Sequence, residues 1–304
     1  MKIAERVRTI EVGPRDGLQN EAAPVSIEAK VIFIEALVEA GITNVESGSF
    51  VSPRWVPQMA DTAEVLKRIR RVDGVSYPVL VPNTKGMEAA IASGVSEVAI
   101  FAAASESFSR RNINCSIAES LDRFRPVCEM AAAHGIKVRG YVSCVLGCPY
   151  EGEIDPKAVA AVSASLMALG CYEISLGDTI GVGTPTKAQD MLTTVASRVP
   201  IQSLAVHFHD TYGQALANIL ACLELGVSAI DSAASGLGGC PYAAGASGNV
   251  ATEDVVYMLD GMGVKTGIDL EKLVAAGQQI SRELGRESAS RVGRLQRRWP
   301  SRAA

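Results

Sequence analysis

Residues 117–142, IAESLDRFRPVCEMAAAHGIKVRGYV, hold one repeat of the pattern that decides the fold. An amphipathic run over 117–133 leads to Gly135, and a β-branched run over 137–142 follows at once. Glycine just past a helix takes the left-handed conformation at little cost, so it marks where the helix stops. The same order recurs on either side. Helical patterns lie over 27–40, 62–71, 158–169 and 214–225, and Gly41, Gly94, Gly170 and Gly226 each precede a strand-like run. Those runs begin at 7–12, 44–46, 77–81 and 97–101, and continue at 172–176, 203–209 and 229–231. With 137–142 they make eight. Strands alternating with helices imply parallel pairing through right-handed crossovers. Eight such units predict an α/β fold, a (β/α)₈ TIM barrel with extra C-terminal helices. A doubly wound sheet is the alternative, weakened because no Gly-x-Gly-x-x-Gly follows the first strand.

The 304 residues would divide into about two average domains, but a barrel uses about 250 residues as one. No linker rich in Pro, Gly or Ser interrupts the chain, so 1–285 is expected to be one catalytic domain. Residues 286–304 form a tail with Arg286, Arg291, Arg294, Arg297, Arg298 and Arg302 against a single acid, Glu287. It is read as a solvated tail, with an inter-subunit or anionic-ligand contact as the sharper alternative. The net charge of −4 argues against nucleic-acid or anionic-membrane binding by the surface as a whole. No apolar run approaches the about 18 residues of a membrane span. Charges sit where a signal peptide would be apolar, and seven scattered cysteines form no Cys-x-x-Cys. A cytoplasmic location is the expectation.

In a barrel, chemistry sits in the loops after the strands. The polar residues gather there. Arg15, Asp16, Gln19, Asn20 and Glu21 follow the first run, Asp178 ends the sixth, and His207-Phe208-His209-Asp210 ends the seventh. His207 and His209, two apart on a strand, share a face. They are two of only three histidines, the third being His134, and so predict a metal site. Asp16 is the natural oxygen ligand, because the first strand lies near the seventh across the eighth, and Asp210 would point away. Mixed His and oxygen ligation suits Mg²⁺ or Mn²⁺ better than a closed zinc site. A glycine-rich stretch, 236–249, follows the last strand and precedes a helix. It reads as a mobile flap carrying Cys240, which could act as acid or base, and ending at Asn249, whose amide oxygen could reach the same metal. Arg15 could stabilise a developing enolate or thioester oxygen.

These stretches resemble the hydroxymethylglutaryl-CoA lyases. The resemblance rests on residues 12–21, 49–53, 111–116, 207–210 and 236–249, and runs from about residue 7 to about 285. It implies a metal-dependent carbon–carbon lyase acting on an acyl-CoA, 3-hydroxy-3-methylglutaryl-CoA, to give acetyl-CoA and acetoacetate. It implies Asp16, His207, His209 and Asn249 as cation ligands, Arg15 as enolate stabiliser and Cys240 as proton carrier. Glu46, Asp178 and Glu253 match further active-site acids of the family, Glu46 and Asp178 as catalytic groups, and Gln19, Asn112, Tyr141 and Glu253 are assigned to substrate contacts. A homodimer is a family expectation. Ala22 and Ala244 depart from the longer polar side chains often found in relatives. Rival readings are a lyase for a related 3-hydroxyacyl-CoA such as citramalyl-CoA or an isoprenoid-substituted glutaryl-CoA, a Claisen-condensing relative, and a non-catalytic metal- or CoA-binding protein.

Overall fold

A computed structural model describes residues 3–22, 24–239 and 248–295. Eight strands form one parallel sheet in the order β1-β8-β7-β6-β5-β4-β3-β2. They are β1 (Arg8–Glu11), β2 (Gly48–Ser49), β3 (Val79–Leu80), β4 (Glu97–Ala103), β5 (Lys137–Ser143), β6 (Glu173–Asp178), β7 (Leu204–Phe208) and β8 (Ala229–Ser232). The barrel closes between β1 and the segment before β2: Glu11 N–H donates to Asn44 O at 2.9 Å, and Glu46 N–H donates to Glu11 O at 2.9 Å.

The helices are α1 (Ile27–Glu39), α2 (Thr62–Arg68), α3 (Thr84–Ala92), α4 (Glu106–Ile113), α5 (Ile117–Ala133), α6 (Pro156–Ala168), α7 (Pro185–Ala196), α8 (Ala215–Leu223), α9 (Thr252–Gly261) and α10 (Leu270–Glu283). The stretch that predicted the repeat folds as α5 followed by β5. Ser116 starts α5 through a capping box with Glu119, which satisfies donors that a helix start leaves orphaned. The five punctuating glycines all have φ between +63° and +105°, so each stops its helix as expected.

The second strand differs from its expected place. Asn44 and Val45 make only isolated bridges, and the ladder with β3 starts at Gly48. The reason is Pro78 in the facing run, which has no N–H to give. Val45 O, deprived of that donor, accepts the hydroxyl of Ser47 at 2.8 Å instead.

The registers sort side chains onto two faces. Val138, Val142, Ile174, Leu176, Val206 and Ile230 face the helices and belong to one continuous apolar cluster with α1 to α10 residues such as Phe33, Phe124 and Leu166. The inward face carries Arg139, Tyr141, Glu173, Ser175, His207 and Asp231. Its own apolar cluster is small: Leu80, Ala99 and Tyr141, with Val51 and Phe101 packed against them. Barrel interiors are usually dominated by branched aliphatics, so an interior this polar needs a functional account.

The chain after α10 turns back over the mouth of the barrel. Asp254, at the start of α9, accepts the Ser290 hydroxyl at 2.7 Å and the N–H groups of Arg291 and Val292 at 3.1 and 2.9 Å. Ala289 N–H donates to Ser235 O, and Arg286 pairs with Glu21 at 3.0 Å. Residues 286–295 of the expected solvated tail are therefore anchored, with Ser288, Ser290 and Val292 buried. Arg297, Arg298 and Arg302 lie outside the described residues.

Candidate metal centre

The site begins where β1 ends. Gly13–Gly17 forms a single π-helical turn with Pro14 in its first positions. Such turns are rare and recur at functional sites. Its glycines permit close approach: a Cβ on Gly13 would lie 2.5 Å from Glu11 Oε1, and one on Gly17 would lie 2.6 Å from Leu237 Cβ. The turn aims two successive side chains, Arg15 and Asp16, at the open end of the barrel.

Arg15 is 5% exposed and fully committed. Its Nε donates to Glu46 Oε2 at 2.8 Å, its Nη1 donates to Asp16 Oδ1 at 2.7 Å, and its guanidinium lies 5.5 Å from the Tyr141 ring centroid. Tyr141 in turn donates its hydroxyl to Glu46 at 3.2 Å. Bidentate and stacked contacts of this kind fix a guanidinium in one orientation.

Asp16, His207 and His209 bring one potential ligand atom each within 4.8 Å of one another. His207 Nε2 stands 3.9 Å from Asp16 Oδ2. The shared face expected from the i, i+2 spacing is realised, with the two rings 5.6 Å apart. Asn249 reaches the cluster from the far end of the glycine-rich stretch: its amide nitrogen donates to Asp16 Oδ2 at 2.9 Å and to Leu237 O at 3.1 Å. That leaves its side-chain oxygen as its remaining ligand atom. His209 Nδ1 is buried with no hydrogen-bond partner among the described residues. An unpartnered buried ring nitrogen on a histidine that sits beside Asp16 and His207 makes a donor set that fits a cation.

The electrostatics agree. Burial pushes the Asp16 carboxyl up, but Arg15 and the two histidines, with the Asn249 hydrogen bond, outweigh it and hold it at about 2. Burial and the neighbouring His207 lower His209 to about 4, leaving a neutral imidazole able to ligate at neutral pH. Burial raises Glu46, with Arg15 opposing.

The other expected site residues divide. Gln19 joins the cluster, donating to Asp16 Oδ1 at 3.2 Å. Asn112 is exposed in the last turn of α4. Asp178, at the end of β6, accepts the N–H groups of Val182 and Gly183 at 3.2 and 2.8 Å and so shapes its own loop. Glu253 is fully buried behind the mouth, with both oxygens on Ser235 N–H at 2.8 and 2.9 Å. Neither acid bonds to the cluster among the described residues. Cys240 and Ala244 lie outside the described residues.

Sequence reasoning missed the layer beneath the cluster. Arg139 (1% exposed) clasps Asp231 with Nη1 and Nη2 at 2.9 and 2.7 Å, and gives its Nε to Glu173 at 2.7 Å. The signal was available: an Arg, a Glu and an Asp at inward positions of otherwise apolar strands.

The HMGL-like family model matches residues 6–280. The chain is 62% identical to the mitochondrial hydroxymethylglutaryl-CoA lyase of Bos taurus, over 95% of this chain and 89% of that protein. It is 58% identical to the 3-hydroxy-3-isohexenylglutaryl-CoA/hydroxy-methylglutaryl-CoA lyase of Pseudomonas aeruginosa, over 97% and 98%. Among solved structures, the hydroxymethylglutaryl-CoA lyase from Pseudomonas aeruginosa superposes with a TM-score of 0.95 at 58% identity, covering 96% of this chain and 98% of that one. A more distant structure, at 34% identity, has a TM-score of 0.92 over 98% and 97% and contains coenzyme A and 3-methylmalate.

Proposed function

The chain belongs to the HMGL-like family, and from that premise we propose that it cleaves 3-hydroxy-3-methylglutaryl-CoA to acetyl-CoA and acetoacetate. The observation that carries the reading is the Asp16, His207 and His209 cluster with Arg15 fixed at its edge. The family is that of metal-dependent lyases. We assign the cation to Asp16, His207, His209 and Asn249 and take it to be Mg²⁺ or Mn²⁺, because two imidazoles with oxygen partners suit a hard ion. When bound, such an ion acts as a Lewis acid that lowers the pKa of the substrate's tertiary hydroxyl.

The side chains then share the work. The hydroxyl proton passes to Asp16, since a His207 ring that gives its Nδ1–H to Asp231 and its Nε2 to the ion has no lone pair left to accept it. The resulting alkoxide collapses to the ketone of acetoacetate as the carbon–carbon bond breaks, and its electron pair becomes the thioester enolate. Arg15 stabilises the enolate oxygen; its pairing with Glu46 and Asp16 holds the guanidinium in place beforehand, so no reorganisation accompanies the step. Cys240 delivers a proton to the enolate carbon, which completes acetyl-CoA. Gln19 supports Asp16, and Tyr141 supports Arg15 through Glu46. Asn112 and Glu253 are assigned to substrate contacts, with Glu253 acting through the backbone at Ser235.

The test is acetoacetate formation by the purified protein, stripped of metal and then supplied with Mg²⁺ or Mn²⁺. Product is expected only after the ion is restored. Turnover undiminished by a chelator would sink the metal assignment. A second reading is favoured by the relative whose name includes 3-hydroxy-3-isohexenylglutaryl-CoA: the same cluster acting on a longer acyl chain. One methylene in an apolar pocket changes discrimination by about 1–3 kcal/mol, so kcat/KM for the two acyl-CoAs decides between them.

We place the enzyme in the cytoplasm, which its six described cysteines support, all being free thiols and buried. No helix among the described residues is long and apolar enough to cross a membrane. Light scattering tests the homodimer.

A further inference from the structure

His207 and His209 meet the cluster from the same strand but are held differently. His209 Nδ1 has no partner among the described residues, whereas His207 Nδ1 lies 3.2 Å from Asp231 Oδ2. Asp231, on β8, is 1% exposed and accepts from four groups. Two are the Arg139 nitrogens, one is the Ser175 hydroxyl at 2.7 Å, and the fourth is the His207 ring. Its carboxylate therefore cannot rotate without losing several bonds at once. Arg139 is equally fixed: Glu173 takes its Nε, Arg8 pairs with that same Glu173, and the Tyr141 ring lies 5.1 Å away.

A carboxylate accepts and does not donate, so His207 carries its proton on Nδ1 toward Asp231. The lone pair is then on Nε2, the atom that faces Asp16. Stability alone gives little reason for the arrangement. Buried ion pairs of this kind are often no better than apolar residues of equal volume.

We propose that Asp231 is a positioning residue for the metal centre, fixing the tautomer and ring orientation of His207, and that Arg139 locks Asp231 for that task. The inference rests on the cation reading above. Partners of this type on ligating histidines change metal affinity by about 10–100-fold.

The experiment measures Mn²⁺ binding to the metal-free protein by electron paramagnetic resonance of the free ion, beside Tm, for wild type and two variants. Asp231→Asn is expected to weaken the Mn²⁺ Kd by about 10–100-fold. Because this variant leaves Arg139 unpaired and could fail to fold, the second is the double variant Arg139→Met with Asp231→Leu. It removes both charges and leaves Glu173 paired with Arg8. It is expected to fold with Tm near wild type and to show the same loss of affinity. A folded double variant that binds Mn²⁺ as wild type does would overturn the positioning role while leaving the metal centre intact. Absence of Mn²⁺ binding by wild type would overturn the cation reading and this inference with it.

Discussion

On the inner side of the sheet, Asp231 faces Arg139 and Asp16 faces Arg15; on the outer side, Glu11, Asp178 and Glu253 receive only backbone N–H and hydroxyl donors, all uncharged. All five carboxyls are buried or nearly so, yet they diverge. For the inner pair, burial is outweighed by the guanidiniums, and both stay well below the usual carboxylate range. For the outer three, burial dominates despite their hydrogen bonds. Glu11 rises to about 7, Asp178 to about 6 and Glu253 to about 8. Of these five, the two beside guanidiniums stay ionised and the three bonded only to neutral donors are pushed toward neutrality; Glu46, beside Arg15 yet raised by burial, is the inner exception. Among the described residues, the ion pairs of the interior join the guanidiniums of Arg8, Arg15 and Arg139 to the carboxyls of Asp16, Glu46, Glu173 and Asp231.

The strongest way to break the contrast is to remove an inner guanidinium. Arg15→Gln strips a partner from both Asp16 and Glu46, and turnover is expected to fall by at least about 10²–10³-fold. His207→Ala should match it. Steady-state kinetics with 3-hydroxy-3-methylglutaryl-CoA measure both, and near-normal rates in both would refute the assignment.

The outer acids give the next effect, seen in stability against pH. A carboxyl whose folded pKa is raised contributes stability that is full below its unfolded value near 4.5 and is lost as pH rises through the folded value. Glu11 and Glu253 should therefore weaken the fold between about pH 4.5 and 8. Glu253→Gln should flatten much of that decline while retaining an acceptor for Ser235 N–H. Asp16 has the opposite sign: its contribution is present above about pH 4 and is lost as pH falls toward 2. Urea midpoints across pH 4.5 to 8.5 decide, and equal slopes for variant and wild type would remove Glu253 from the account.

The smallest effect probes the apolar layer. Ile174→Val leaves one methyl unfilled between β6 and its helices and should cost about 0.5–1.5 kcal/mol. Since it touches no inner residue, kcat per folded molecule should hold, a result that a thermal melt beside an activity assay reads directly.

The barrel was legible because its signals are local: an amphipathic run, a glycine and a β-branched run within about 25 residues. The histidine pair was legible for a similar reason, since His207 and His209 announce a shared face by spacing alone. The displaced second strand was not, because its cause, Pro78, sits on a different strand. Asp231 and Arg139 were not, because their partnership joins positions 92 apart in the chain and only the register of β5 to β8 reveals it. Asp178 and Glu253 show the converse. Both are acids at the expected places, but their hydrogen bonds go to backbone rather than to the cluster.

The bond from Asn249 to Asp16 joins residues 233 apart, and β1 pairs with β8 to complete the sheet. During synthesis Asp16 leaves the ribosome long before either histidine, and Asn249 arrives only when the eighth strand has been made. A nascent chain thus holds these side chains apart until its last strand is made. Assembly of this cluster and completion of the barrel are therefore one event, late in translation.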